Sequence, residues 1–579
     1  MTYRAPLDDI LFALRLAAGE GAIEPGGAYS DLADGVAEQT LTEAAKFAEE
    51  ILLPLDKIGD RVGASYANGA VTTPPGWREA YALWKDGGWN AIAAGADYGG
   101  LDLPALLNAG CTEIWNAANM AFAVCPLLGH GAIEAIEAHA SDALKETYLR
   151  RIVSGEWTAT MNLTETGAGS DLGLMRTRAE RAGDGSYRLF GQKIFITYGE
   201  HDLAPNIVHL VLARLPDAPA GTRGISLFLA PKFLPDEAGA FTRRNDVRCA
   251  GIEHKLGIRG SPTCTMIYGD EGGAVAFLLG AENKGLACMF TMMNNARLAV
   301  GLQGVALAER ATQMAFAYAR ERKQGHAPGA KETSAIIEHP DVARMLLTMA
   351  SSTAAARAIC YETAASIDRA RRDSDAARAA AAHARASLLT PIAKAFSTDI
   401  ANEATSLAIQ VFGGMGYIEE TGVAQLMRDA RICAIYEGAN GIQAIDLVTR
   451  KIRDSDGAAL AAEIEDMRAI AREAELSQEA LRESVEALAQ ASEFLTKADA
   501  TTALAGATPY LRLFALARGA TLQAKGAKTA MKENNPNAAR YAALTRFFAD
   551  HFAVAAPGLA KTVIDGAASV NESHAALGE

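Results

Sequence analysis

The chain has 579 residues, 50% of them hydrophobic and 21% charged, with only 19 prolines. This is the make-up of a packed globular protein and excludes a disordered or fibrous one; at roughly 100–200 residues per domain it predicts about three to five domains. Lys and Arg number 55 against 69 Asp and Glu, a net charge of −14, which argues against a general nucleic-acid binder because that needs a net basic footprint.

The seven cysteines, Cys111, Cys125, Cys249, Cys264, Cys288, Cys360 and Cys433, are scattered, odd in number and without a C-x-x-C pair. They give neither a disulfide scaffold nor zinc-ligand spacing, so no metal site and a reducing compartment are expected. Asp8 and Asp9 precede a short apolar run from Ile10 to Ala18, unlike a basic, acid-free leader. No stretch reaches the about 18 uninterrupted apolar residues of a membrane span. A cytoplasmic protein that does not cross a membrane is expected.

In chain order, residues 1–35 read as a short amphipathic segment followed by a Gly-rich stretch. Residues 36–157 have helical texture, with Ala, Glu and Leu at helical spacing from Asp34 to Leu53. The texture turns to β over 158–283. Asn206 to Leu215 and Gly224 to Ala230 are β-branched-rich runs of strand length, and Asp184-Gly185 between Thr177–Arg181 and Tyr187–Phe190 is a hairpin signal. Helices return over 284–452, where Leu298, Leu302, Val305, Ala308 and Thr312 make a stripe at steps of three and four. An Ala-rich run covers Ser351 to Ala386, and Thr390-Pro391 reads as a cap-then-proline start of a further helix. The last block, 455–579, places Leu481, Val485, Leu488 and Leu495 on one helical face, a stripe that must be buried against something.

Five motifs could carry chemistry. Met161 to Asp171 holds Gly167 and Gly169 among hydroxyls; glycines let backbone approach a ligand, yet alone this is more often an ordinary turn. In Gly191 to Thr197, Phe195 and Thr197 share one side of a strand and could offer a flat wall and a hydrogen bond to a ring. Gln410 to Tyr417 packs Gly413, Gly414 and Gly416 into four residues, where a helix end needs only one. Glu437 in Tyr436-Glu437-Gly438 follows an apolar run; buried there, its pKa would rise toward the range of a general base. Arg297 and Arg322 offer guanidinium forks that suit phosphate, though most such arginines are helix-surface charge. Arg428 to Arg431 reads as structural ion pairing.

The order and spacing of these motifs resemble the acyl-CoA dehydrogenase family over about 36–452. The resemblance rests on Leu163-Thr164-Glu165-Thr-Gly-Ala-Gly-Ser170-Asp171, Lys193-Ile-Phe195-Ile-Thr197, Gly280 to Gly285 and Asn294 to Arg297. It continues through Arg322-Lys-Gln324, Gln410-Val-Phe-Gly413-Gly414 and Ile435-Tyr-Glu437-Gly438. The terminal segments resemble a larger bacterial branch. The resemblance implies a helical bundle, a β-barrel and a second helical bundle, here with a C-terminal helical domain added. It also implies FAD as cofactor. Leu163, Thr164 and Ser170 would line the isoalloxazine and the CoA side, and Phe195 and Thr197 would flank the flavin ring. Asn294 and Arg297 would meet the CoA nucleotide, and Arg322 and Gln324 the FAD of a neighbouring subunit of a homodimer. Gln410, Gly413 and Gly414 would follow the adenylate, and Glu437 would be the catalytic base, with Gly438 beside the substrate. The implied reaction is α,β-desaturation of an acyl-CoA to a trans-2-enoyl-CoA, with electron-transfer flavoprotein as acceptor. The implied substrate is 3-methylmercaptopropionyl-CoA or a short-chain acyl-CoA. A long-chain substrate, an oxidase, and a nucleic-acid-binding flavoprotein of the same superfamily stay open. The sequence departs from the family at Thr166, where proline is usual, at the amide Asn294, at Gly325 to Gly329, and at Ala439.

Overall fold

The change of texture near residue 158 is a change from helix to strand. The computed structural model describes residues 3–24 and 26–578, without the side chains of Ser455 and Asn571. The chain divides into two compact units: Ala44–Pro104 with Ala118–Ala296, and Met1–Glu43 with Ala105–Ala117 and Arg297–Glu579.

The first of these holds every described strand: β1 Ser65–Ala67, β2 Ala70–Thr72, β3 Thr158–Asn162, β4 Arg178–Arg181, β5 Tyr187–Thr197, β6 Ile207–Arg214, β7 Ile225–Pro231, β8 Phe233–Pro235, β9 Phe241–Arg244, β10 Val247–Ile252, β11 Thr263–Tyr268 and β12 Ala274–Leu279. The β1–β2 hairpin turns at Asn68-Gly69 inside the stretch read as helical, a dipeptide that is itself a strong hairpin signal. In the main sheet β5 pairs β12, β12 pairs β7, β7 pairs β6, and β4 pairs both β6 and β5, which closes a ring. A closed sheet has no free edge there, and this is the expected barrel. β6 and β7 are buried along almost their whole length, so they read as continuous apolar runs and not as alternation. Leu189, Val211, Phe228, Ala230, Met266 and Tyr268 are among the residues of the barrel's core. The Asp184-Gly185 hairpin joins β4 to β5 as expected.

The second unit is helical. Helices Pro340–Arg372 and Ala376–Phe412 pack side by side, and the Ala-rich run is broken between them at Asp373 to Asp375. The Asp375 side chain there accepts from the N–H groups of Ala377 and Arg378, both at 2.9 Å, an N-cap. The helix start expected at Thr390-Pro391 is not there. Both residues lie inside the Ala376–Phe412 helix, where Thr390 is buried and its hydroxyl donates to the Ala386 carbonyl at 2.7 Å. An interior proline costs ~3 kcal/mol; here it is held in a segment whose neighbours Leu388, Leu389, Ile392 and Phe396 are fully enclosed, and burial of that order offsets the loss.

The C-terminal block belongs to this unit. Leu481, Val485, Leu488 and Leu495, on helix Gln478–Lys497, are all at 0% exposure. They lie on a helix that packs against Ala507–Lys532 and Ala556–Leu577. Arg385 reaches Glu463 at 2.7 Å, and Gln523 donates to the Ser351 carbonyl at 2.8 Å. The block is a docked domain and not a tail.

Candidate active site

In the barrel unit the loop that carries the first motif is held at a β-bulge. Ile196 pairs with Cys264 and Lys193 with Met266, so Ile194 and Phe195 together oppose a single residue. The bulge breaks the alternation of β5: Lys193 turns inward to 0% exposure, while Phe195, at φ 60°, is 58% exposed. Phe195 and Thr197 do fall on one side, with buried Ile196 between them. The backbone freed by the bulge holds the preceding loop. Ile194 N–H donates to the Thr164 carbonyl at 2.9 Å, and Lys193 Nζ donates to the Leu163 carbonyl at 2.9 Å. Leu163, Thr164, Phe195 and Thr197 are thereby brought together.

Lys193 also donates to Glu165 Oε1 at 2.9 Å. Glu165 further accepts from Arg176 N–H at 2.7 Å, Thr177 N–H at 3.0 Å and Thr177 Oγ1 at 2.6 Å. Burial would raise its pKa, but Lys193 and these donors outweigh it and hold the carboxyl below its ordinary value. The loop tip beyond it is exposed from Thr166 to Ser170 except at Ala168. Gly167 and Gly169 are not at positive φ, and a Cβ on either would meet open space. Neither the turn nor the packing demands glycine there, and the backbone is open to approach.

In the helical unit the site centres on Glu437. Helix Val423–Cys433 ends, and the chain turns through Glu437 at φ 56° and Gly438 at φ 87° into helix Asn440–Asp446. Among the described residues no donor bonds the Glu437 carboxylate, and no acceptor takes its N–H. Burial pushes its pKa up to about 7, against the opposing charges of Lys394 and Arg297. Tyr436 is held by a short hydrogen bond from its hydroxyl to Gln303 Oε1. A carboxyl poised near neutrality beside a free N–H can remove a proton and polarise a carbonyl in one place.

Arg297, expected from the resemblance to meet the CoA nucleotide, is buried in the helical unit. Its side chain is 4% exposed and bonds Asp446 at 3.1 Å, which makes it a buried, paired cation whose charge is felt by Glu437. Asn294 is exposed on the same helix. Arg322 and Gln324 lie in an exposed loop pinned by Gln324 N–H to Ser334 O at 3.0 Å and Ile336 N–H to Arg322 O at 2.8 Å. Gln410 is exposed on the last turn of its helix; Gly413, at φ 60°, ends that helix, and Gly414 lies open beside it. Arg428 pairs with Glu419 at 2.8 Å, the structural role expected.

Four family models cover nearly the whole chain: Acyl-CoA dehydrogenase N-terminal domain at 37–156, middle domain at 160–270, C-terminal domain at 283–452, and Acetyl-CoA dehydrogenase C-terminal like at 458–574. The 3-methylmercaptopropionyl-CoA dehydrogenase of Ruegeria pomeroyi is 46% identical over 89% of this chain and 89% of its own. The chain belongs to the acyl-CoA dehydrogenase family. A butyryl-CoA dehydrogenase of Syntrophomonas wolfei is 37% identical over 70% of this chain and 68% of its own. Among solved structures, an acyl-CoA dehydrogenase complexed with FAD from Bacillus anthracis superposes with a TM-score of 0.74 at 21% identity, over 95% of this chain and 91% of that one.

This acyl-CoA dehydrogenase is therefore an FAD enzyme that desaturates acyl-CoA. Taken unit by unit its residues are compatible with the cofactor: in the barrel unit the backbone at Gly167 and Gly169 and the Phe195 ring are open, and in the helical unit so is the Gly413-Gly414 turn. Two residues around Glu437 and its buried partner Arg297 carry little sign in the sequence: Lys394 and Asp446. A lone lysine in the apolar run Pro391 to Phe396 was the one available sign.

Proposed function

We propose that this acyl-CoA dehydrogenase oxidises 3-methylmercaptopropionyl-CoA and short straight-chain thioesters such as butyryl-CoA. It works as a homodimer in the cytoplasm and passes electrons to electron-transfer flavoprotein. The observation that carries the substrate is the 46% identity, spread over 89% of both chains, to an enzyme named for that thioester. The exposed Arg322 and Gln324, without side-chain partners of their own among the described residues, support the dimer, and seven buried free thiols suit a reducing cytoplasm.

In this reading Glu437 takes the α-proton of the thioester, and its N–H donates to the thioester carbonyl, stabilising the charge that builds on oxygen as the proton leaves. FAD, when bound, supplies the acceptor for the β-hydride, which no side chain can take. Within the barrel unit, Leu163, Thr164 and Phe195 are the residues that would meet the flavin. The test is anaerobic bleaching of the flavin by a panel of acyl-CoAs. 3-Methylmercaptopropionyl-CoA and butyryl-CoA should bleach fastest. Palmitoyl-CoA reacting far faster than both would make this a long-chain enzyme, and prompt return of colour in air would make it an oxidase.

A further inference from the structure

Lys394 is a fully enclosed lysine, at 0% exposure, on helix Ala376–Phe412. Burying an ammonium costs several kcal/mol unless bonds replace its water. Its bonds are to neutral groups: Nζ donates to the Gly438 carbonyl at 2.9 Å and to Asn440 Oδ1 at 2.8 Å. Asn440 Nδ2 in turn donates to Ala395 O at 3.2 Å, Thr398 Oγ1 at 3.0 Å and Asp399 Oδ1 at 2.7 Å. One helix face thus clamps Gly438 and Asn440, two of the three residues that follow Glu437. Gln443 closes the other side, donating to Glu437 O at 3.3 Å and Gly438 O at 3.1 Å. Clamping has a purpose here, because a non-glycine residue at φ 56° is strained by about 1–2 kcal/mol and persists only where its surroundings enforce it.

On the reading that Glu437 is the base, we infer that Lys394 is its positioning residue: by holding Gly438 and Asn440 it fixes the turn in which the Glu437 carboxyl and N–H stay free. The groups around the pair are Asp399 from the same helix, Arg297 from Gly285–Glu321, Cys433 from Val423–Cys433, and Asp446 with Arg450 beyond the turn. Arg297 is already spent on Asp446, so Lys394 is the cation without a carboxylate of its own. Burial pulls it down to about 8, leaving it protonated at neutral pH, and its charge opposes the rise of Glu437 more than that of Arg297.

The test is a pH titration of the Glu437 carboxyl itself by infrared difference spectroscopy of the full chain, with Glu437→Gln assigning the band. It is run beside substrate bleaching, so the titration reads Lys394 whichever thioester is oxidised and even if none is. The wild-type midpoint should lie near the value of about 7. Lys394→Met should raise it by about one unit or more and slow bleaching at pH 7 by at least about tenfold, while Lys394→Arg should return the midpoint toward wild type. Asn440→Ala, which loosens the clamp and keeps the charge, should lower the bleaching rate at every pH and leave the midpoint in place. A Lys394→Met midpoint equal to wild type overturns the proposal. If that variant does not fold, Lys394→Gln and Lys394→Arg decide it by the same midpoint: equal values in the two overturn it.

Discussion

Glu165 in the barrel unit and Glu437 in the helical unit both come from the motifs that mark the family, and a buried lysine lies close to each. Their environments are opposite. Lys193 bonds the Glu165 carboxylate directly, three more donors complete the shell, and the carboxyl is held below its ordinary value. Lys394 instead bonds the backbone next to Glu437 and leaves the carboxylate bare, so burial drives it up to about 7. The same two residue types make a strut in one place and a candidate base in the other. Where the ammonium donates, to the acid or to the chain beside it, decides which.

The largest effect that separates the two is on chemistry. Glu437→Gln keeps shape and removes the proposed base, so flavin bleaching by substrate should fall by at least about 10³-fold while FAD content and the melting curve stay close to wild type. Near-normal bleaching would show that Glu437 is not the base. Glu165→Gln should do the reverse. It leaves Lys193 enclosed at 0% exposure without its countercharge, which costs about 3–5 kcal/mol of stability, read by denaturant unfolding. Bleaching per bound flavin should change little. Loss of bleaching with unchanged stability would turn Glu165 into a functional group.

pH separates them next. The raised Glu437 value means that between about 4.5 and 7 the folded chain holds a proton which the unfolded chain releases. This group therefore weakens the fold as pH climbs through that window, while the fraction of active base grows. Bleaching should rise roughly tenfold per unit up to about pH 7 and then level off. Glu165 has the opposite sign. Its lowered value contributes stability above about 4.5 that is lost as pH falls below it. His201 and His209, pulled down to about 3 by burial in the same unit, add an acid-side loss that sets in below 6.5. Activity should thus fade reversibly below neutrality with the fold still largely intact. A rate that is flat from pH 5 to 8 would contradict the raised value.

What the sequence made legible is what lies in short stretches. The hairpin at Asp184-Gly185, the stripe at Leu481 to Leu495 and the placing of Glu437 at a turn each depend on neighbours a few residues away. Lys394 was hidden because its partner Gly438 is 44 positions downstream, and an isolated lysine in a helix carries no sign of what it will touch. The Arg297 pair with Asp446 is hidden for a related reason: a fork suits a phosphate and a carboxylate equally, and only tertiary structure brings these two residues together. Thr390-Pro391 shows a local signal overruled by packing, and the bulge at Ile194-Phe195 shows simple alternation overruled by the pairing register.

The finest distinction is energetic coupling in the strut. Lys193→Met removes the ammonium and leaves the Leu163 carbonyl without that donor, yet Glu165 keeps the N–H groups of Arg176 and Thr177 and the Thr177 hydroxyl. It should therefore destabilise less than Glu165→Gln, which strands a charge. The double variant, with neither charge present, should lose less than the sum of the two single losses, by about 1–3 kcal/mol, the range for residues in direct contact. A coupling near zero would mean that Lys193 and Glu165 do not act as a pair. Since Lys193 also ties Leu163 beside the bulge, every variant lacking it should hold FAD less tightly, and the single Glu165→Gln change, which keeps that tie, should hold FAD better than Lys193→Met despite being the less stable protein. If FAD retention simply follows stability across the three variants, the tie to Leu163 has no role of its own.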